Sequence, residues 1–247
     1  MIFTIARKEL KTLFASSLAW TLLALVQLVL GWVFMGRLDA FLEIQSQLVQ
    51  IANPPGVTEI IVAPVFAMAA AVLLMATPLL TMRLIAEERR NHTMTLLTSA
   101  PISMTDIVLG KFLGLMAFFC GVIFLVMVLS LSLLMGGTLD AGLLLSNAVG
   151  LLLICACFAA LGLYISSLTA QPAVAAAGTL GILLGLWVMD IAADDGGSIM
   201  RTLSLLKHYE SFNRGLIDTF DLAYFSLFIL TFLVLAIRRL DGERLRG

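Results

Sequence analysis

FLGLMAFFCGVIFLVMVLSLSLLM, residues 112–135, runs for twenty-four positions without a charged side chain. At 1.5 Å per residue, a helix of that length covers about 36 Å, enough to cross a hydrocarbon core about 30 Å thick. Backbone polar groups in such a core must be satisfied within the protein, and the stretch lacks the period-two alternation of a barrel strand. It reads as a transmembrane helix.

Five other stretches share this character, giving expected spans at 15–36, 61–82, 111–135, 141–167, 173–192 and 221–237. Hydrophobic residues make up 61% of the 247 positions and charged residues 13%. A water-soluble domain is nearer half apolar and a quarter charged, so this chain has too little polar surface to face water all round. The expected fold is an all-α polytopic membrane protein, one transmembrane domain over 1–247 in contact with a lipid bilayer. The first span follows Arg7, Lys8 and Lys11 as a secretion signal would, but it is too long for a signal core and no small-residue cleavage site follows it.

Orientation follows from Lys and Arg. One side receives Arg7, Lys8, Lys11, Arg83, Arg89, Arg90, Lys111, Arg238, Arg239, Arg244 and Arg246; the other receives Arg37, Arg201, Lys207 and Arg214. Eleven against four puts both termini in the cytoplasm by the positive-inside rule. Trp20 and Tyr164 then lie toward the inner interface, and Trp32, Trp187 and Tyr224 toward the outer one.

Three segments outside the spans carry pattern. In residues 1–14, Ile2, Phe3, Ala6, Leu10, Leu13 and Phe14 recur at helical spacing, as in an amphipathic helix lying in the interface; a plain basic flank fits equally well. The loop 83–110 holds Glu87, Glu88, Arg89 and Arg90, then Met94, Leu96 and Leu97, a break at Pro101, and cap signals at Ser103, Thr105 and Asp106. It reads as a short helix across the mouth of the bundle, either a solvated connector or a docking surface. Residues 193–220 repeat Ile199, Leu203, Leu206, Tyr209, Phe212 and Leu216 at helical spacing, with Arg201, Lys207 and Arg214 off the stripe, as in a short amphipathic or re-entrant outer helix. The other outer connection, 37–60, ends in a turn at Asn53, Pro54, Pro55 and Gly56.

Several chemistries are excluded. No glycine-rich loop leads into Lys-Ser or Lys-Thr, and Gly110-Lys111 is followed by Phe112, so there is no cradle for a nucleotide phosphate. His92 and His208 fall on opposite sides of the membrane, and Cys120, Cys155 and Cys157 lie in apolar runs, leaving no triad, metal site or disulfide framework. No catalytic residue, cofactor, metal or nucleic-acid partner is expected. The spans hold almost no ionisable group, Asp190 lying near an outer end, which disfavours an ion-coupled transporter or channel. Energy for transport must then come from another polypeptide. In the fifth span Ala173, Ala177, Gly181 and Gly185 form a ladder of small residues that admits a second helix, from this chain or from a partner. A second GxxxG step, Gly110 to Gly114, reads as weaker because it sits at a helix entrance.

Two blocks resemble a known family. Pro78-Leu79-Leu80-Thr81-Met82-Arg83, Ala86-Glu87-Glu88-Arg89, Leu96-Leu97-Thr98-Ser99-Ala100-Pro101 and Ile107-Val108-Leu109-Gly110-Lys111 look like the signature of type-2 ABC exporter permeases. The stretch from His208 to Asp218 with Tyr224-Phe225, and Ala6-Arg7-Lys8-Glu9-Leu10, are similar to the gliding-motility branch (GldF-like). His92-Thr93 replaces the family's usual Gly-Thr pair, and Thr95 its usual Glu. The resemblance implies a permease of the bacterial inner membrane that pairs with a second copy or a homologous permease and is driven by a separate cytoplasmic ABC ATPase. The ATPase would dock at Glu87, Glu88, Arg89, Arg90, Met94, Leu96 and Leu97. The branch further implies a companion membrane protein with a large outer domain, for which Tyr209, Phe212, Arg214 and Asp218 offer a surface. An uncharged path suits an apolar or amphipathic cargo; the alternative is a non-transporting relay that passes ATPase motion to the outer partner.

Overall fold

A computed structural model describes residues 1–48, 56–91, 103–135, 139–192 and 204–244. Among these residues the regular structure is all helical: α1 (Ile2–Ala15), α2 (Ser17–Leu48), α3 (Ala63–Thr81, entered through a wide π turn at Thr58–Val62), α4 (Ala86–Arg90), α5 (Met104–Leu131), α6 (Ala141–Leu168), α7 (Pro172–Ala192), α8 (Leu205–Asn213) and α9 (Thr219–Arg244). Six segments, built on α2, α3, α5, α6, α7 and α9, are long and apolar enough to cross a membrane, and they match the six expected runs.

The helices exceed the apolar runs at three places. α2 continues from Gly36 through Arg37, Asp39 and Glu43 to Leu48. Hydropathy marks where a membrane ends, whereas a helix continues until something breaks it, and residues 37–48 contain neither Gly nor Pro. Residues 37–48, half of the expected outer connection 37–60, are therefore helix; its Pro54-Pro55 turn lies outside the described residues. α5 starts seven residues before the expected span because Ser103 caps it, its hydroxyl accepting from the Asp106 N–H at 3.0 Å. α9 runs on to Arg244.

α6 is the central post. Its most apolar window is 67% buried, that of α3 61%, whereas those of α2, α7 and α9 are only 17–22% buried. α6 packs against α3, α5, α7, α8 and α9. The outer helices thus leave broad apolar faces for lipid or another chain, as a membrane bundle should.

Small residues set where helices approach. A Cβ on Gly110 would lie 2.6 Å from Ile5 Cβ, and one on Gly114 2.8 Å from Glu9 Cβ and 3.0 Å from the Ala6 carbonyl oxygen. The Gly110–Gly114 step at the helix entrance is therefore the seat of α1 on α5, a stronger packing element than its position suggested. α1 is amphipathic as expected, with Arg7, Lys8 and Lys11 exposed, and its inner face is pressed into α5. Its junction with α2 is a break at Ser16, which is extended (φ −83°, ψ 129°).

α1 and the end of α9 meet at one end of the bundle, where Glu243 of α9 approaches α4 directly and Glu9 of α1 through Lys111 of α5. At the opposite end α8 packs on the start of α6. Phe212 sits over Gly150, where a Cβ would come within 2.5 Å of Phe212 Cβ. Ser146 Oγ donates to the Phe212 carbonyl at 2.9 Å. Gly215 (φ +82°) ends α8 in a Schellman turn, with its own N–H to Phe212 O at 3.0 Å and the Leu216 N–H to Ser211 O at 2.9 Å.

Candidate coupling site

α4 is only five residues long and is held by its surroundings. The chain leaves α3 at Thr81, and Ile85 and Ala86 donate their backbone N–H groups to Ser166 Oγ of α6 at 3.2 and 3.0 Å. Leu84, Ile85 and Ala86 are buried beneath it. The start of α4 is thus pinned to the end of the central post, which satisfies N–H groups that a short helix leaves open.

Its charged side chains divide into two sets. Glu88 Oε1 accepts from Lys111 Nζ of α5 at 2.8 Å, and the same ammonium reaches Glu9 Oε1 of α1 at 3.0 Å. The Lys111 side chain is 1% exposed, Glu9 9% and Glu88 15%. Arg89 forks onto Glu243 of α9, with Nη1 to Oε1 at 3.1 Å and Nη2 to Oε2 at 2.6 Å, a bidentate pair of the strong, direction-specific kind. Arg239 braces the same carboxylate at 3.2 Å. By contrast, Glu87 is about half exposed and reaches only Arg83, at 3.9 Å, among the described residues, and Arg90 is exposed.

The docking set expected from the sequence therefore splits. Glu88 and Arg89 face inward and tie α4 to α1, α5 and α9, while Glu87 and Arg90 face out. Met94, Leu96 and Leu97 lie outside the described residues. A buried ion pair gains little net stability over an apolar substitute, because desolvation offsets the Coulomb attraction; its distinctive contribution is fixed geometry. Here the fixed geometry makes α4 a junction of four helices.

The buried charges refine the expectation of a span interior almost free of ionisable groups. Among the described residues Glu9, Lys111, His208 and Asp221 are buried, and they sit at the two ends of the bundle. Sequence carried one signal for the junction. Glu9 stands three or four residues from Ile5, Ala6 and Leu13, so it interrupts the apolar face of α1, where an acid needs a partner.

At the opposite end, the outer set also divides. Tyr209 and Phe212 are buried at 3% and 0% exposure and pack on α6, so they offer no surface to an outer partner. Burial also pushes the Tyr209 phenol upward, away from ionisation. Arg214, paired with Glu210, and Asp218 are exposed, Asp218 capping the start of α9 through the Phe220 N–H at 3.1 Å. Sequence reasoning missed the contact that joins α8 to α9: His208 Nδ1 and Asp221 Oδ1 stand 2.6 Å apart, both side chains 8% exposed, with Tyr224 stacked on the imidazole at 4.1 Å.

The ladder on α7 is open. Ala173, Ala177, Gly181 and Gly185 are all exposed, and a Cβ on Gly181 or Gly185 meets nothing within 4 Å. The buried face of α7 is the other one, carrying Ala175, Thr179 and Leu183. Among the described residues no neighbour fills the groove at the two glycines.

Six apolar helices with charge gathered at the two ends define a multi-pass membrane protein with no catalytic constellation among the described residues. The family model described as ABC-2 family transporter protein matches residues 3–243, nearly the whole length, and the chain belongs to that family. It is a permease component of an ABC exporter, which works in a lipid bilayer with an ABC ATPase. No curated protein matches the chain.

Proposed function

We propose that this permease is driven by a separate ATPase docking on the cytoplasmic face at α4 and the residues after it, and that it exports an apolar or amphipathic cargo from the bacterial inner membrane. The observation that carries the reading is the Glu9–Lys111–Glu88 cluster. It makes a short helix beside the longest basic connection inseparable from α1 and α5, so that force applied to α4 reaches the bundle. Glu87, Arg90 and the apolar Met94, Leu96 and Leu97 form the contact surface, whereas Glu88 and Arg89 transmit. The Lys and Arg count supports the cytoplasmic assignment of this end.

A second copy or a homologous permease packs along the ladder of α7. Two ATPase subunits need two docking sites and one chain offers one, and the ladder's exposure leaves its groove open to a partner helix. For the gliding-type branch and its outer companion, the surface is the exposed Arg214 and Asp218.

The test is co-purification with the ATPase. Leu97→Asp and Arg90→Glu should each lose the ATPase while the permease still inserts in the membrane, because interfaces depend on a few anchors. Undiminished co-purification in both variants overturns the docking assignment.

A further inference from the structure

Between α1 and the ends of α2 and α3 at the terminus-bearing end lies a cavity of about 350 Å3. Its floor is the Glu9–Lys111–Glu88 cluster, its rim carries Lys8, Arg83 and Glu87, and its wall is apolar, including Leu13, Leu18 and Leu79. The volume is in the range of small-molecule sites. The two halves of its lining differ in what they would accept: one is charged, and the other is made by membrane-spanning helices.

Depth identifies the guest. Ala19 lines the cavity, and the adjoining Trp20 is 56% exposed with its indole N–H donating to the Phe14 carbonyl at 2.7 Å. A tryptophan with an apolar body and one satisfied polar edge is characteristic of the membrane–water interface. Leu79, 39% exposed on α3, carries the apolar wall onto the face that lipid covers. The cavity thus stands at headgroup depth with an outlet toward acyl chains.

Charge narrows it further. The floor and rim hold three acids, Glu9, Glu87 and Glu88, and three bases, Lys8, Arg83 and Lys111, so a net anion finds no net attraction. Lys111 is engaged by both floor carboxylates. Lys8 stands 3.7 and 3.8 Å from Glu9 and Glu88, and Arg83 stands 3.9 Å from Glu87, beyond hydrogen-bond distance. These rim side chains are 43–63% exposed, and Arg83 donates to Ser16 Oγ at 3.2 Å, a neutral contact on the lining that a phosphate would exchange for a charge-assisted one. Two cations beside one anion suit a phosphate joined to an ammonium, and a primary ammonium can donate hydrogen bonds to Glu87 where a quaternary one cannot.

We infer that the cavity binds the headgroup of a zwitterionic phospholipid with a primary ammonium, its phosphate on Lys8 and Arg83 and its ammonium on Glu87. Naming the leaflet as the inner one rests on the orientation proposed above; the site itself does not.

The full chain, purified in mild detergent, is offered dioleoyl phosphatidylethanolamine, phosphatidylcholine or phosphatidylglycerol, and retained lipid is counted by native mass spectrometry. Wild type should hold one phosphatidylethanolamine about tenfold more tightly than either other lipid, the scale of one charge-assisted contact. Thr12→Trp, which fills the cavity from an exposed position on α1, should abolish that adduct. Arg83→Gln should weaken it by about tenfold. Unchanged melting temperatures show that the variants are folded, and Lys8→Gln replaces any that is not. Equal retention of the three lipids, a preference for phosphatidylglycerol, or full retention in folded Thr12→Trp overturns the assignment. The readout is binding to the permease alone, so its failure is distinct from a failure of ATPase docking.

Discussion

Lys111 Nζ lies 2.8 Å from Glu88 Oε1 and 3.0 Å from Glu9 Oε1, so one buried ammonium joins three helices whose contributing residues are 23 and 102 positions away in the chain. Removing the ammonium alone leaves two largely buried carboxylates facing each other, with only the exposed Lys8, 3.7 and 3.8 Å away, to offset them. Lys111→Met should therefore cost about 3–5 kcal/mol of stability, the usual consequence of orphaning buried charge. Replacing all three residues, as Lys111→Met with Glu9→Leu and Glu88→Leu, should restore stability to within about 1–2 kcal/mol of wild type. Transport driven by the ATPase should stay impaired in the triple variant, because an apolar contact does not fix the direction of α4. Denaturant unfolding in detergent and vesicle transport measure the two effects. A Lys111→Met protein as stable as wild type would show the cluster to be idle.

Two glycine pairs of the same spacing should behave oppositely. Gly114→Val drives atoms into Glu9 and the Ala6 backbone, with an overpacking cost of about 1–3 kcal/mol and loosening of α1. Gly181→Leu meets nothing within 4 Å among the described residues and should leave the monomer folded, yet separate paired permeases by holding their backbones apart. Gly185→Cys should cross-link between protomers and lose the cross-link when Gly181→Leu is added. Dimers shown by other sites but never joined through Gly185→Cys would place the ladder against lipid.

The clip between α8 and α9 tests the other end. Asp221→Asn keeps an oxygen for His208 and should cost at most about 1 kcal/mol, whereas Asp221→Leu removes that partner and should cost about 1–3 kcal/mol. Protease nicking between α8 and α9, read against overall melting, distinguishes local release from global unfolding. Equal behaviour of the two variants would mean that the pair at 2.6 Å does not hold α8.

Topology is checked by single cysteines in a background without Cys120, Cys155 and Cys157. An impermeant thiol reagent should label Asp140→Cys and Arg214→Cys in intact cells and spare His92→Cys and Gly247→Cys. Ser204, an outer position by its place in the sequence, is a poor reporter because it is 1% exposed and caps α8, accepting from the Lys207 N–H. Labelling at His92→Cys would overturn the orientation.

Sequence alone determined the number and places of the spans, since apolar length and charge bias are additive properties read along the chain. It also gave the Ser103 cap, a contact between near neighbours. The same sequence treated Glu87, Glu88, Arg89 and Arg90 as one charged run and Tyr209, Phe212, Arg214 and Asp218 as one outer surface. Tertiary structure divided both sets, because which side of a short helix is buried depends on what packs against it. In the sequence Lys111 is one of eleven basic residues on its side and Glu9 an acid 102 positions away; α1 settling on Gly110 and Gly114 brings them together. The two GxxxG steps could not be ranked by spacing, which is the same in both; the packing decided it, closing one on α1 and leaving the other open on α7. Burial and partnership are properties of pairs of elements distant in sequence, and only the folded chain sets those pairs.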